Sequence, residues 1–111
     1  MRLASRTRLR VTYGIAKVGL ALGDDGERVV ARGVLGPSGA LDHPVSRGDG
    51  VTLGAHEVRF YVGDWLRGHD PSTGRLFMEV AVFRFEVSDL QEHIHLPLKF
   101  TRWGFALFRG S

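Results

Sequence analysis

Apolar and polar residues alternate with a period of two over several short stretches of this 111-residue chain. Residues 8–15 and 83–87 show the alternation most clearly. A period of two sends successive side chains to opposite faces of a β-strand, and no long stretch has the helical period. Fifteen glycines supply the tight turns that many short strands require. The chain is therefore predicted to be all-β, with a length that suits one domain and one core.

Turn-forming residues divide the chain into short strands. Gly23-Asp24-Asp25-Gly26 predicts a hairpin turn, because Asp and Gly tolerate the positive φ of such turns. Residues 36–50 contain two prolines and four glycines without a period, which indicates a loop. Asp64 is a candidate N-cap for one or two helical turns at residues 65–69. We predict strands at residues 9–15, 18–22 (separate or continuous with the first), 28–35, 51–62, 75–87, 93–100 and 105–109. Strands of this number and length indicate a β-sandwich.

Composition and charge exclude several classes of function. The chain has no cysteine, which excludes disulfides and thiolate chemistry and permits a cytoplasmic setting. Its net charge is +3, and we interpret residues 1–8 as a basic arm, a solvated tail that leads into an edge strand of a domain at residues 9–111. No Gly-rich phosphate loop, helix-turn-helix spacing, secretory signal or membrane-length apolar stretch is present. We therefore expect neither nucleic acid nor a membrane as a partner.

Two histidines stand two residues apart in His93-Ile94-His95. On a strand they share one face, and the alternate residues Ile94, Leu96, Leu98 and Phe100 fill the other. A sandwich buries the apolar face, so the histidines are expected to face water or another subunit. Zinc would need a third ligand such as His43, His56 or His69, and no Cys/His spacing supports a metal site. An acid–base role in a sheltered pocket and a merely solvated pair remain open alternatives.

The C-terminal segment carries a family resemblance. "HIHLPL", followed by a glycine-aromatic step and a terminal "FRGS", resembles the ending of the 5-hydroxyisourate hydrolases, the enzyme relatives of transthyretin. Leu76–Val80 and Phe85–Asp89 are similar to the family's preceding segments, and Thr12–Ile15 occupies the place of its first strand. The resemblance implies a transthyretin-like sandwich of seven to eight strands with one short helix. It also implies a homotetramer of two dimers with a ligand channel between them, and ring opening of 5-hydroxyisourate by water without metal or cofactor.

The chain departs from the family's site at three positions. Tyr13 stands at the place of a first-strand histidine, Ala40 at the place of an arginine, and Phe108 at the place of a tyrosine. Losing a positioned base or electrophile typically costs orders of magnitude in rate. The family residues that remain are His93, His95, Arg109, Gly110 and Ser111. We therefore interpret the chain as a diverged member of the family.

The resemblance defines a set of candidate site residues. Candidate catalytic residues are His95 as the acid–base group, Tyr13 as a hydrogen-bond donor or proton relay, His93 and Ser111. Candidate substrate-binding residues are Ile15, Asp42, His43, Trp103, Ala106, Phe108 and Arg109. The aromatic members suit an apolar ligand channel or, equally, dimer packing. The expected function is an enzyme for a small cyclic substrate; a non-catalytic carrier or sensor, and retained 5-hydroxyisourate hydrolysis, are the alternatives.

Overall fold

The computed structural model describes residues 2–6, 8–15, 28–36, 39–41, 52–91 and 94–110. The predicted strand at residues 18–22 and the turn at residues 23–26 lie outside these ranges. The elements within them are β1 (Arg2–Ala4), β2 (Arg10–Ile15), β3 (Arg28–Val34), β4 (Gly54–Phe60), α1 (Val62–His69), β5 (Ala81–Val87), β6 (His95–Thr101) and β7 (Gly104–Leu107). Helix α1 is short, and no helix in the described ranges has the length and apolarity needed to cross a membrane.

Two sheets form the layers of a sandwich. One has the strand order β3-β2-β4-β5 and is antiparallel throughout, and the other has the order β1-β6-β7. A single hydrophobic cluster draws buried side chains from both sheets, such as Val11 and Val58 from the first and Leu96 and Leu98 from the second. The β-sandwich predicted from the period-two pattern is thus confirmed.

The first strand was not expected from the sequence. Arg2–Ala4 pairs in parallel with residues 95–97 of β6, and Leu3 is completely buried opposite Leu96. The expectation of a solvated tail is therefore wrong for these residues, because the ladder with β6 satisfies their backbone groups and the core covers Leu3. Arg6 and Arg8, which follow in the same basic segment, are exposed.

The predicted strand over residues 75–87 is shorter than expected, and β5 begins only at Ala81. The carboxylate of Glu79 accepts hydrogen bonds from Leu76 N–H (2.7 Å) and from the Arg67 guanidinium (2.6 and 2.9 Å). The backbone N–H of Gly63 donates to the carbonyl oxygen of Glu79 at 2.9 Å. These bonds tie the segment before β5 to α1 instead of to β4. The hydrogen bonds to its carboxylate, first that from Arg67 and then that from Leu76, lower the pKa of Glu79 to about 2.

Helix α1 begins earlier than the sequence indicated. Its first residue is Val62 and its N-cap is Tyr61, which makes no side-chain capping bond. The predicted cap, Asp64, lies in the first turn, where its carboxylate pairs with Arg10 (2.8 Å) and Arg67 (3.0 Å). An acidic side chain in the first turn still stabilises the helix, because it opposes the positive end of the helix dipole.

Candidate functional site

Strand β6 places His95 on the outward side of its sheet. Ile94, Leu96, Leu98 and Phe100 are at most 8% exposed, whereas the alternate residues His95 and Pro97 are half-buried and Lys99 is exposed. This is the arrangement that the period-two pattern predicts. The imidazole of His95 is therefore not part of the core of the described chain.

Residues of β7 and the C-terminal segment complete this outward surface. Lys99 pairs with Ala106 across the β6–β7 hairpin, and His95 forms an isolated bridge with Gly110. Phe108 lies between these two pairs along the chain and is 52% exposed. We define the His95 face as the surface formed by His95, Pro97, Lys99, Ala106, Phe108 and Gly110. It combines one imidazole and one cation with apolar side chains.

The C-terminal segment closes directly onto His95. The backbone N–H of Gly110 donates to the His95 carbonyl oxygen at 2.7 Å. A Cβ atom at Gly110 would lie 3.0 Å from His95 Nδ1 and 3.4 Å from its Cγ, which is tighter than ordinary contact. A side chain at this position would displace the imidazole by a few tenths of an ångström, so glycine allows the close approach of the chain to the ring. The preceding residue, Arg109, is exposed.

The segment that carries Ala40 runs along the free side of β1. Ser5 N–H donates to the Gly39 carbonyl oxygen at 2.9 Å, and Leu41 N–H donates to the Leu3 carbonyl oxygen at 3.3 Å. Gly39 has a φ of 79°, and a Cβ there would collide with the Ser5 carbonyl oxygen. Ala40, at which the resemblance implies a missing arginine, therefore adjoins the sheet of His95.

Tyr13 does not occupy the position expected for it. It lies on β2, in the four-stranded sheet, whereas the first strand of the chain is Arg2–Ala4. Its side chain is completely buried in the core and stacks near His56 and Phe85, with ring centroids 5.6 and 6.3 Å away. The expectation that Tyr13 lies on the first strand is therefore wrong, and its orientation, which the sequence left open, is toward the core. Thr12–Ile15 resembles a family first strand only in local sequence. The strand pairs antiparallel with β4, with Tyr13 opposite Val58, and this pairing determines its place in the sheet.

Burial also determines the ionisation of Tyr13. Desolvation raises the pKa of its hydroxyl well above the ordinary value of tyrosine. The hydroxyl has no hydrogen-bond partner among the residues that the structure describes. A group in this state is neither a base nor a relay at neutral pH. Ile15, a second candidate, ends the same strand β2 and so belongs to the same sheet as Tyr13.

The other candidates divide into three groups. Ala106 and Phe108 lie with His95 on the His95 face, and Arg109 adjoins it. Trp103 is in the β6–β7 turn, at the far end of β6 from His95, where it is 69% exposed and its ring centroid is 6.1 Å from that of Phe77. His93, Ser111, Asp42 and His43 lie outside the described residues.

Three members of the His95 face, namely Pro97, Lys99 and Gly110, were not among the candidate residues from the sequence. Lys99 stands four residues after His95 on the same strand, so its outward direction followed from the alternation, but lysine was not part of the motif. Gly110 is part of the terminal motif, but no sequence signal shows that it contacts His95. Across the described ranges, no group of three or more His, Asp or Glu side chains is arranged to hold a metal ion.

A sequence profile described as the HIUase/Transthyretin family matches residues 10–110. The chain belongs to this family. A 5-hydroxyisourate hydrolase from Deinococcus radiodurans is 32% identical to it over 82 residues, which make up 74% of this chain and 69% of that protein. The family resemblance inferred from "HIHLPL" and "FRGS" is thus confirmed, and the family includes hydrolases similar in sequence to this chain.

Solved structures of the family have the same fold. (S)-allantoin synthase matches with a TM-score of 0.74 and 19% identity, over 99% of this chain and 43% of that chain. This chain therefore spans less than half the length of that protein. Sea bream transthyretin in complex with thyroxine matches with a TM-score of 0.71 and 16% identity, over 98% of this chain and 92% of that chain. The transthyretin-like sandwich is thereby confirmed.

Proposed function

We propose that this chain is a diverged, hydroxyisourate hydrolase-like enzyme that acts on a small cyclic substrate at the His95 face. The observation that carries the proposal is the contact between the C-terminal segment and His95, in which the Gly110 N–H donates to the His95 carbonyl oxygen at 2.7 Å. This contact fixes the end of the chain against an outward imidazole. Membership in a family with named hydrolases supports the same role.

The chemistry of the His95 face suits the addition of water to a ring carbonyl. That reaction needs a base to take a proton from water, and histidine residues exchange protons near neutral pH. It also needs positive charge or hydrogen-bond donors near the oxygen that becomes negative. Lys99 and Arg109 are the cations on or beside the face. We assign His95 as the acid–base residue, with His93 and Ser111 as further polar contacts.

A second subunit is expected to cover this face. Phe108 on the face is 52% exposed in the isolated chain, and Trp103 and Phe77, at the β6–β7 turn, are 69% and 79% exposed. Exposed apolar side chains of this size commonly mark interfaces. In the proposed homotetramer, two dimers enclose the His95 faces in a channel, and the enclosure excludes bulk solvent from the bound substrate while it admits the reacting water. Asp42 and His43 remain proposed contacts from the loop after Leu41.

The departures from the family favour a substrate other than 5-hydroxyisourate. The arginine is replaced by Ala40, whose methyl group cannot bind an anion, and Phe108 has no hydroxyl. Both changes make the proposed channel more apolar. Concave apolar sites with few polar groups suit less polar ligands. The substrate we propose is therefore a small cyclic molecule of specialised metabolism that undergoes ring opening or another acid–base step.

A carrier or sensor is the second candidate function. The apolar side chains of Ala106 and Phe108 beside His95 favour it, and one family structure contains bound thyroxine. Retained hydrolysis of 5-hydroxyisourate is the third, because the relatives of similar sequence have that name. These possibilities differ in whether turnover occurs and in whether it depends on His95.

The test measures turnover and binding with the same proteins. Decay of 5-hydroxyisourate, prepared by oxidising urate, is followed for the wild type, for His95→Gln and for a matched surface variant, Arg75→Gln. For an enzyme we expect His95→Gln to lower kcat/KM by about 100-fold or more, as for removal of a general base. A set of cyclic amides and lactones extends the assay to other substrates.

Three outcomes would contradict the proposal. Equal turnover by the wild type and His95→Gln excludes His95 as the acid–base residue. Tight binding of thyroxine without turnover of any cyclic compound supports the carrier instead. A monomeric mass in sedimentation excludes the covered channel.

A further inference from the structure

A cavity of about 550 Å³ lies between helix α1 and the segment that leads into β2. Its volume is within the range of small-molecule sites. One wall comes from the residues before and at the start of β2, and the other comes from one side of α1. The lining residues are Arg8, Arg10, Asp64, Trp65, Gly68 and His69.

This cavity is separate from the His95 face. Trp65 in its wall packs edge-on against Phe100 of β6, with ring centroids 5.7 Å apart and planes at 90°. Phe100 is buried, whereas His95 on the same strand faces outward. Side chains five residues apart on a strand point to opposite faces. The cavity therefore adjoins the core side of β6, and a ligand in it would not contact His95.

The charges around the cavity are unbalanced. The guanidinium of Arg10 pairs with Asp64 at 2.8 Å and lies over the ring of Tyr61, 4.0 Å from its centroid. Asp64 is shared, since its other carboxylate oxygen is 3.0 Å from Arg67. Arg8 has no carboxylate partner among the described residues. The wall formed by residues 8–10 therefore carries an excess of positive charge, which favours an anion.

The backbone of Arg8 is held in a conformation that non-glycine residues rarely adopt. Its φ is 62°, the left-handed region in which a Cβ crowds the following carbonyl group. Its N–H donates to the Leu35 carbonyl oxygen at 2.7 Å, and the Leu35 N–H donates back to Leu9 at 2.9 Å. Glycine would fit this position without strain. Strained backbone of this kind concentrates at ligand sites, and here it carries a guanidinium into the cavity wall.

The opposite wall is aromatic, and its residues Gly68 and His69 are exposed to solvent. The rings of Trp65 and His69 stack with centroids 3.8 Å apart. The Nδ1 atom of His69 is 2.9 Å from the Trp65 carbonyl oxygen, so Nδ1 carries the proton and donates, and Nε2 is the nitrogen left for another partner. A Cβ on Gly68 would meet no atom within 4 Å, so that part of the helix surface is bare. The guanidinium of Arg6 also lies over the Trp65 ring, 5.1 Å from its centroid, so the room for a flat ring on this wall is at His69 and Gly68, beside the indole.

We propose that this cavity binds a small aromatic carboxylate, whose anionic group pairs with Arg8 and Arg10 and whose ring lies against His69 beside the Trp65 indole. The arginines provide planar, bidentate donors for a carboxylate. The indole and imidazole provide the apolar and π surface for the ring. The site is independent of catalysis at the His95 face.

The test uses benzoate as the probe and the two indole N–H resonances of the intact protein as reporters. The chain has two tryptophans, so Trp65 reports on this cavity and Trp103 on the β6–β7 turn. We expect benzoate to shift the Trp65 resonance saturably and leave that of Trp103 in place. Benzamide, the uncharged counterpart, is expected to bind at least about tenfold more weakly, because it lacks the charge.

Arg8→Gly is the decisive variant, because it removes the guanidinium and relieves the backbone strain at the same time. We expect it to fold at least as stably as the wild type and to weaken benzoate binding about tenfold. Arg75→Ala, which removes an exposed cation outside the cavity, is expected to bind benzoate as the wild type does. The proposal is overturned if benzoate leaves Trp65 unshifted, if Arg8→Gly binds benzoate with unchanged affinity, or if inorganic phosphate binds as tightly as benzoate and the ring adds nothing.

Discussion

Gly110 lies against the imidazole of His95. Its backbone N–H is 2.7 Å from the His95 carbonyl oxygen, and its Cα faces the ring so closely that an added Cβ would be 3.0 Å from Nδ1. The contact joins two parts of the family motif, the His-x-His strand and the terminal Arg-Gly-Ser, which are separated in sequence. The imidazole is thereby positioned by the end of the chain as well as by β6.

Gly110→Ala is expected to displace the imidazole by a few tenths of an ångström, because the new methyl group meets Nδ1 and Cγ at once. Small displacements of a catalytic group cost much in rate, and we expect turnover to fall by about tenfold or more. The unfolding midpoint should change little, since Gly110 lies outside the hydrophobic core. Turnover assays and thermal unfolding of the same sample check this prediction.

Gly74→Ala is the matched control, because a Cβ there would contact no atom within 4 Å. It should leave turnover unchanged. If Gly110→Ala and Gly74→Ala are equally active, the Gly110 contact does not position His95 for the reaction.

The stability of the fold is expected to decrease in mild acid because of His56. This residue is completely buried, and its ring packs against the rings of Tyr13 and Phe85. Its Nδ1–H donates to the Gly54 carbonyl oxygen at 3.0 Å, and Nε2 lies 3.3 Å from the Thr52 hydroxyl, so the neutral ring is satisfied. Desolvation lowers the pKa of His56, against smaller raising effects of the Gly54 hydrogen bond and the Glu86 charge.

The direction of the pH effect follows from that shift. The unfolded chain takes up a proton at the ordinary histidine pKa of about 6.5, before the folded protein does. The free energy of unfolding therefore falls as the pH falls through about 6.5 and levels off below the folded pKa. We expect the free energy of unfolding to be lower at pH 5 than at pH 8, measured by urea unfolding.

His56→Phe should remove this part of the pH dependence while it preserves the ring stack, and His69→Ala, at an exposed histidine, should retain it. A pH dependence that is identical in His56→Phe and the wild type would assign the effect to other groups.

Glu57 is expected to stabilise the outer face of the four-stranded sheet. Its side chain is 2% exposed, and its two carboxylate oxygens accept hydrogen bonds from Arg59 Nε at 2.7 Å and Arg84 Nε at 2.8 Å. Glu57→Ala leaves the half-buried Arg59 and the exposed Arg84 without the anion that they share. We expect the free energy of unfolding to decrease by about 2 kcal/mol in urea titrations.

Asp64→Ala is the comparison for Glu57→Ala. Asp64 also bridges two arginines, but its side chain is 53% exposed. Solvent screens such pairs, and the expected cost is below about 1 kcal/mol. Equal costs for the two variants would show that burial of Glu57 adds nothing to its ion pairs.

The sequence alone predicted the sandwich and the direction of His95, because both depend on the period-two alternation within single strands. It did not predict β1. The three residues Arg2–Ala4 contain one large apolar side chain, and their partner strand lies more than ninety residues away in sequence. Pairing over such a distance is decided by tertiary packing, here by the burial of Leu3.

The missing strand explains the error at Tyr13. With β1 unrecognised, Thr12–Ile15 was the earliest stretch with strand character, and it was matched to the family's first strand. The error concerns Thr12–Ile15, which belong to the second strand, and it does not affect the assignment of the His95 strand. The structure places β1 beside β6 and residues 39–41 on the other side of β1, and it assigns Tyr13 to the core.

Tyr13→Phe distinguishes a core residue from a catalytic one. The Tyr13 hydroxyl is buried without a hydrogen-bond partner among the described residues, so its removal relieves a desolvated polar group. We expect unchanged turnover and a free energy of unfolding that is equal or up to about 1 kcal/mol higher. Tyr61→Phe is the matched control, because the Tyr61 hydroxyl is 3.2 Å from the Thr12 hydroxyl and its loss should cost about 0.5–1 kcal/mol. A fall in turnover with Tyr13→Phe at unchanged stability would restore a catalytic role for this hydroxyl and require the core arrangement to open during the reaction.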